Sequence, residues 1–292
     1  MIYLQFILLM FATTMSFAQY PANTDPNCIS NAHDPYEPHT RMLQGPEKGL
    51  CINSDFRRSA TLLNGSEAAR YFPFRKDSIV IANYSHQKKF WIAQIPVKRI
   101  SRMILQTQFF PIGPTALGIE ISHVQFRFDF EAGAKIDLVS QDASAPARNV
   151  SVKHVILTVE NVGPHGEKFD FMKGMKGYFN LVYRAVSLED KYNWMIKEQG
   201  HRVTQHLIKV SKQEAQKIFM EGMKRGTKRQ SRTTYHSLTQ SCSTELVKIL
   251  KATLGTWDSV MSFYPNLILP ILQNRGLIQR ELPTLNAELA RP

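Results

Sequence analysis

The chain has few cysteines and lacks the common metal-binding patterns. Only three cysteines occur among 292 residues, and neither an HExxH nor a CxxC pattern is present. The sequence therefore offers little support for a metal site, and we expect neither a metal nor another cofactor. Internal repeats and low-complexity tracts are also missing, and the composition is that of an ordinary globular protein.

Long apolar runs are scarce as well. In the body of the chain the best candidate, Val260–Leu272, is shorter than the roughly 20 residues that span a bilayer, and it contains two prolines. The N-terminus differs, because Ile2–Met15 is almost wholly apolar or small and Ser16-Phe17-Ala18 follows. Small residues before the cut suit signal peptidase, so we expect a signal peptide over residues 1–18 and a periplasmic or secreted protein. An uncleaved membrane anchor is the alternative.

Acidic residues are fewer than basic residues. The chain has 24 Asp and Glu against 36 Lys and Arg, a net charge of +12. A basic surface favours anionic partners, which makes an anionic membrane surface a candidate partner. The densest basic cluster comprises Lys224, Arg225, Lys228, Arg229 and Arg232. No aromatic residue interleaves it, so we interpret it as a solvated loop, with a binding patch as the alternative. We expect no nucleic-acid partner. The oligomeric state stays open.

The three cysteines divide into a pair and a single residue. Cys28 and Cys51 lie close in sequence inside a polar segment, and in an oxidising compartment we expect a disulfide between them. Such a loop closure stabilises a fold by about 3 kcal/mol. Cys242 is then left over. An unpaired thiol in an exported protein is either buried and inert or kept for its reactivity.

Polarity and periodicity divide the rest of the chain. Residues 19–75 are polar and rich in Pro, Asn and Asp, which predicts an irregular N-terminal extension, and residues 76–292 form the predicted domain. Apolar and alternating runs predict strands at 79–82, 90–95, 103–110, 117–130, 135–139, 150–159 and 181–186. Capping pairs and amphipathic spacing predict helices at about 188–199, 212–224 and 242–255. Strands first and helices later indicate an α+β fold.

Cys242 lies where a polar loop runs into an amphipathic helix. A thiol in the first turn of a helix is next to unpaired backbone N–H groups and the positive end of the helix dipole. Both features lower a thiol pKa and favour nucleophilic attack, and the same N–H groups can stabilise an oxyanion. We therefore expect a depressed pKa for Cys242. The alternative is a small buried residue that packs the start of the helix.

His123 is the histidine best placed to serve as a base. It lies in the middle of a predicted strand, on the same face as Gln125 and Arg127. An imidazole on a rigid strand is held where a general base is needed, although a lone strand histidine is more often structural. His201 and His206 have a spacing that suits neither a helical nor a strand-borne metal pair.

Two stretches together resemble a known family. SHVQFRFDF, which begins at Ser122, and YHSLTQSCSTEL, which begins at Tyr235, are similar in order and spacing to the bacterial Lnb-type N-terminal periplasmic domain. The resemblance extends over Ala116–Leu277 and includes Tyr264-Pro-Asn and Arg275-Gly-Leu. That family includes the N-terminal part of a lipoprotein N-acyltransferase. It resembles a permuted papain-like (NlpC-type) fold, with an antiparallel sheet followed by helices and the cysteine at a helix N-terminus.

The resemblance implies a Cys–His thiol site. His123 matches the strand histidine and Cys242 the helix-start cysteine, and Asp142 falls where family members often carry an acidic residue. Ser241 departs from the asparagine that commonly precedes the cysteine. The implied function is an exported thiol acyltransferase or hydrolase acting on an ester or amide of an envelope lipid, lipoprotein or peptide. The alternative is a catalytically inactive envelope binding module on the same fold, and for Asp142 the alternative is a solvated loop acid.

Overall fold

The computed structural model describes most of the chain beyond its N-terminus. The described residues are Cys28 and 33–37, 40–55, 57–110, 122–144, 149–164, 166–255 and 265–289. Within these ranges no helix has the length and apolar character needed to cross a membrane. The predicted signal peptide lies outside the described residues and stays a prediction.

One sheet of twelve strands organises the described part of the chain. Its strands are β1 (Thr61–Leu62), β2 (Ile79–His86), β3 (Lys89–Ile95), β4 (Ile100–Phe109), β5 (Ser122–Phe130), β6 (Ile136–Ser140), β7 (Val150–Val152), β8 (His154–Val162), β9 (Phe179–Ser187), β10 (Arg202–Ile208), β11 (Thr233–Tyr235) and β12 (Ile278–Leu282). The order across the sheet is β12-β10-β4-β5-β8-β9-β2-β3-β6-β7, with β1 added to β2 and β11 to β9. The pairing is antiparallel except between β2 and β9.

The helices are mostly short and lie on both faces of the sheet. They are α1 (Gly65–Ala68), α2 (Phe171–Met175), α3 (Leu188–Tyr192), α4 (Lys212–Arg229), α5 (Cys242–Leu254), α6 (Ile268–Asn274) and α7 (Leu285–Leu289). A π-helical segment, Asn193–Glu198, continues α3. The content of helices and strands is that of an α+β fold, as predicted.

Alternation along β5 separates two cores. Val124, Phe126 and Phe128 belong to the main core, where they pack with α4 and α5 through residues such as Phe219 and Leu246. The other face carries a smaller core in which Ile156 and Val203 pack with Leu188, Met195 and Leu285. Because side chains alternate across a strand, His123 lies on the side of this smaller core.

The Cys28–Cys51 disulfide is present, as predicted. The segment it staples is attached to the domain at several points. Met42 and Ile52 are buried with Val162 and Val182, so the apolar residues of this polar segment cover one part of the sheet. Further along, β1 pairs with β2. The described part of residues 28–75 has little regular structure, only β1 and α1.

Three local predictions need correction. The predicted strand 150–159 is two strands, because β7 pairs with β6 while β8 pairs with β5 and β9. The basic cluster at 224–232 is not a loop, since four of its five residues lie in the last turns of α4. The strand β10 was not predicted, although it is the neighbour of β4.

Candidate functional site

The helix α5 begins at Cys242. Its start is held by the preceding residue, because the backbone N–H of Ser241 donates to Thr244 Oγ1 at 2.7 Å. Its end lies at Gly255, whose φ of +97° is the conformation that favours glycine. The apolar side of α5 packs on the main core, which fixes the first turn against β5.

The Cys242 thiol is buried, with 5% of the residue exposed. Burial raises its pKa to about 11, although the nearby backbone N–H groups of Val124, Ser243 and Cys242 itself act on the pKa in the opposite direction. The expectation of a depressed pKa is therefore wrong for the resting protein. The helix start contributes what the sequence predicted, but the loss of solvent outweighs it. Cys242 is a neutral thiol at neutral pH.

His123 is partly buried and hydrogen-bonded. Its Nε2 lies 2.7 Å from Thr158 Oγ1, on the adjacent strand β8. Burial lowers its pKa to about 3, and the neighbouring cations Lys191, Arg57 and Arg184 add to this effect against the attraction of Glu160. His123 is thus a neutral imidazole at neutral pH.

The thiol and the imidazole lie on either side of the same stretch of β5. The Val124 N–H acts on the pKa of the thiol, which puts the sulfur near the β5 backbone, one residue from His123. The β5–β8 register ends at Gln125 and Thr158, so these described strands are not paired at the level of Val124. No hydrogen bond joins His123 with Cys242, both of which the structure describes. The pKa of each group is nevertheless affected by the charge of Glu160.

Glu160 is the centre of a buried charge cluster. It lies on β8 on the same face as Thr158, and its carboxylate binds Lys191 Nζ at 2.5 Å, Arg184 Nη1 at 2.7 Å and Arg57 Nε at 3.3 Å. Burial alone would raise the pKa of Glu160, but Arg184, Lys191 and Arg57 together hold it well below its usual value. One carboxylate is therefore surrounded by three cations.

The cluster forms part of the wall of a cleft of about 970 Å³. The cleft lies between the π-helical segment, the loop after β2 and the segment that carries Arg57. Its volume is in the range of small-molecule sites. Neither Cys242 nor His123 lines it, and Glu160, which does, acts on the pKa of both groups.

The structure does not bring Asp142 to His123. Asp142 follows β6, and four strands lie between β5 and β6 in the sheet order, each step being about 4.8 Å. Its carboxylate accepts instead from the backbone N–H of Ser144, at 2.8 Å. Asp142 is thus a turn residue, and its prediction as the third catalytic group is corrected. The group that holds the His123 ring is Thr158.

Comparison with known proteins supports the resemblance. The family model for the Lnb N-terminal periplasmic domain matches residues 93–270, which is more than half of the chain. The chain belongs to this family. Membership implies a periplasmic location. No curated protein and no solved structure matches the chain.

Within this Lnb-type domain, other parts of the resembling stretches lie close to the site. Ser122 Oγ donates to Asn266 Oδ1, which ties the Pro-Asn part of the later motif to the start of β5. Tyr264 lies outside the described residues. Tyr235 is buried near Cys242, and burial together with that neighbour raises its pKa. Among the described residues no group of three His, Cys, Asp or Glu side chains could hold a metal ion.

Sequence reasoning missed Thr158 and the charge cluster. Thr158 and Glu160 alternate with apolar residues along β8, a pattern that ordinarily indicates a solvent-exposed face. Arg57 comes from the extension, and its partner Glu160 is about a hundred residues away in sequence. The pairing of β8 with β9 brings Arg184 to Glu160, and tertiary packing brings Arg57 and Lys191.

Proposed function

We propose that this Lnb-type domain is a thiol acyltransferase or hydrolase with a permuted papain-like arrangement, in which Cys242 is the nucleophile and His123 its base. The observation that carries the proposal is the position of the thiol, at the start of α5 and against the Val124 N–H, one residue from His123. The substrate class that fits an envelope protein of this family is an ester or amide of a lipid, lipoprotein or peptide.

The mechanism requires one proton relay. His123 accepts the proton of the Cys242 S–H as the sulfur attacks the substrate carbonyl carbon. The backbone N–H groups of Cys242 and Ser243 stabilise the oxyanion. The imidazolium then protonates the leaving alcohol or amine, and a thioester on Cys242 remains. An amine or water attacks the thioester, His123 takes its proton, and the thiol is restored.

In the resting protein the protonation state of His123 agrees with a mechanism in which this base is neutral before substrate binds. A neutral imidazole can accept a proton, but the thiolate–imidazolium pair is unfavourable here, because both groups are buried and three cations surround Glu160 nearby. Because the thiol and the ring lie on either side of β5, the His123 ring must also leave Thr158 and reach the thiol beyond Gln125 and Thr158, where the described strands β5 and β8 are not paired. We therefore infer that proton transfer occurs only with substrate in place.

A second function has its own support. A catalytically inactive envelope binding module on the same fold would leave Cys242 as a packing residue. Its buried thiol, and the bond of His123 to Thr158, favour this alternative.

Ester turnover separates the two functions. The mature protein is given 4-nitrophenyl esters of short and medium acyl chains, with and without an added amine. We expect release of 4-nitrophenolate that is lost in Cys242→Ser and reduced at least 100-fold in His123→Ala. Asp142→Asn serves as the matched control and keeps full activity. A folded wild type with no turnover would support the binding module, and a Cys242→Ser variant as active as wild type would overturn Cys242 as the nucleophile.

We also propose a binding partner for this protein. An anionic membrane surface fits the net charge of +12, and the basic residues at the end of α4 lie at the surface around a shallow pocket. Two of them, Arg225 and Arg229, also bind the buried Glu245, at 3.7 and 3.1 Å, so part of this cluster is structural. We propose no nucleic-acid partner.

A further inference from the structure

The charge cluster in the cleft has more positive than negative charge. Among the described residues, Glu160 is the carboxylate that pairs with Arg57, Arg184 and Lys191, so the ion pairs of this cluster carry two more positive than negative charges. The side chains of Lys191 and Arg184 are 4% and 11% exposed, and that of Arg57 is 35% exposed. Uncompensated charge of this kind is costly to bury, so a second anion would stabilise the cluster.

The hydrogen bonds of the cluster are also incomplete. Arg184 Nε is buried and has no acceptor among the described residues. Its Nη1 binds Glu160, and its Nη2 lies 3.4 Å from Ser85 Oγ. A buried guanidinium N–H ordinarily has an acceptor. This orphaned donor and the excess charge are independent observations, and both call for an anion.

The other acidic groups of the cleft do not provide that anion. Glu167 binds Lys173 at 2.5 Å, and Glu198 binds Lys88 at 2.9 Å. Asp190 accepts from the backbone N–H of the loop after β2 at 2.7 Å and from Ser85 Oγ at 3.4 Å, and forms no ion pair with the cluster among the described residues. The remaining carboxylates in the lining are exposed, those of Asp55 and Glu189.

We propose that the cleft binds a phosphate group at Arg57, Arg184 and Lys191. The Arg184 guanidinium has its orphaned Nε, the Arg57 guanidinium also donates from Nη1 to Asn161 O at 2.9 Å, and Lys191 adds an ammonium group. Together these three cations match the several oxygens and double negative charge of a phosphate better than a single carboxylate. The cleft has room for a headgroup attached to it. The phosphate belongs either to a lipid headgroup or to a free phosphate.

The site deepens the proposed function and rests on it only for the role of the ligand. A bound phosphate neutralises the cations that repel a protonated His123, while Glu160 continues to attract it. Phosphate binding would then favour proton transfer from Cys242. The cleft, rather than the buried thiol, would recognise the substrate.

Direct binding tests the site. The mature protein is titrated with inorganic phosphate and, separately, with dihexanoyl phosphatidic acid below its micelle concentration, both at fixed ionic strength. We expect Kd to rise about tenfold for each probe in Arg57→Gln, which removes the most exposed cation. Arg184→Lys keeps the positive charge but loses the paired N–H donors of the guanidinium group. We expect a smaller rise in Kd for this variant.

Matched controls separate this site from general basicity. Lys209→Gln and Lys251→Gln remove exposed cations that line neither the cleft nor the α4 pocket, and both should leave the two Kd values unchanged. Near-UV circular dichroism checks the fold of each variant. Equal losses in the control variants, or no loss in Arg57→Gln and Arg184→Lys, would overturn the proposal, as would tighter binding of acetate than of phosphate.

The two probes distinguish the sources of the phosphate. Phosphatidic acid binding tenfold tighter than phosphate assigns a lipid headgroup, and phosphate binding with no gain for the lipid assigns a free phosphate. No saturable binding of either overturns the site. Repeating the titration with Cys242→Ser keeps the two proposals apart, because phosphate binding should be unchanged there whether or not the wild type turns over esters.

Discussion

At the scale of single residues, burial changes the meaning of the two most conspicuous side chains. The sequence places Cys242 at a helix start, and the N–H groups that this position predicts do reach the sulfur. Only the packed structure reveals that the thiol is buried, and the loss of solvent outweighs those N–H groups. Desolvation likewise keeps His123 neutral. Local motifs predict which donors surround a group, but not how much water it loses.

The first prediction concerns the thiol. With a pKa of about 11, the thiolate fraction of Cys242 at pH 7 is on the order of 10⁻⁴. Iodoacetamide should therefore alkylate Cys242 slowly at neutral pH, and the rate should rise about tenfold per pH unit until pH 11. Mass spectrometry of quenched samples measures it. Rapid alkylation with a midpoint near pH 8 would show that the thiol is not buried in solution.

The second prediction concerns His123 and acid stability. The folded pKa of about 3 is below the ordinary 6.5, so between these values the unfolded chain binds a proton that the folded protein does not. The free energy of unfolding should fall by about 1.4 kcal/mol per pH unit as pH drops through this window. Urea unfolding of wild type and His123→Gln at pH 7 and pH 4.5 isolates the contribution. An identical pH dependence in the variant would contradict it.

At the scale of elements, the strands and helices with strong apolar periodicity could be predicted from the sequence, and the polar strand β10 could not. The alternating β5 and the capped α4 and α5 follow from local pattern. The strand β10 does not, because its central residue Gln205 is polar. Its side chain is fully buried and bonds Gln106 at 2.8 Å and Glu288 at 2.7 Å. Partners on other elements satisfy it, and no local pattern contains them.

The third prediction concerns the contact of α4 with the sheet. A Cβ on Gly226 would lie 2.7 Å from the backbone oxygen of Ala60, which the hydrogen bond from Ala60 N–H to Tyr183 O holds in place. Gly226→Ala should lower the free energy of unfolding by about 1–3 kcal/mol. Gly65→Ala, in α1 with open space around it, is the matched control and should be neutral or stabilising. Equal stability of the two variants in urea would refute the close contact.

At the scale of the whole molecule, the extension is part of the proposed site. The family match begins at residue 93, yet Arg57 reaches Glu160 from the part of the extension that follows the disulfide. The disulfide was predictable from the number of cysteines and the short separation of Cys28 and Cys51 in the sequence. The contribution of the extension to the cleft was not, because its few apolar and charged contacts are spread over a polar sequence.

The fourth prediction concerns this staple. Replacing Cys28 and Cys51 together by serine should lower the free energy of unfolding by about 3 kcal/mol, since the bond closes a loop with a sequence separation of 23. Cys242→Ser is the control and should retain the linked pair in non-reduced peptide maps. Finding Cys28 or Cys51 bonded to Cys242 in the wild type would be incompatible with this fold.

The central claim is that Cys242 carries an acyl group with His123 as its base, and trapping that intermediate tests it most directly. Wild type, Cys242→Ser and His123→Ala are mixed with one equivalent of a 4-nitrophenyl ester, quenched in acid and weighed intact. The account predicts one acyl adduct on Cys242 that hydroxylamine removes, none in Cys242→Ser, and formation at least 100-fold slower in His123→Ala. No adduct on a folded wild type, or an adduct rate that His123→Ala leaves unchanged, would contradict it.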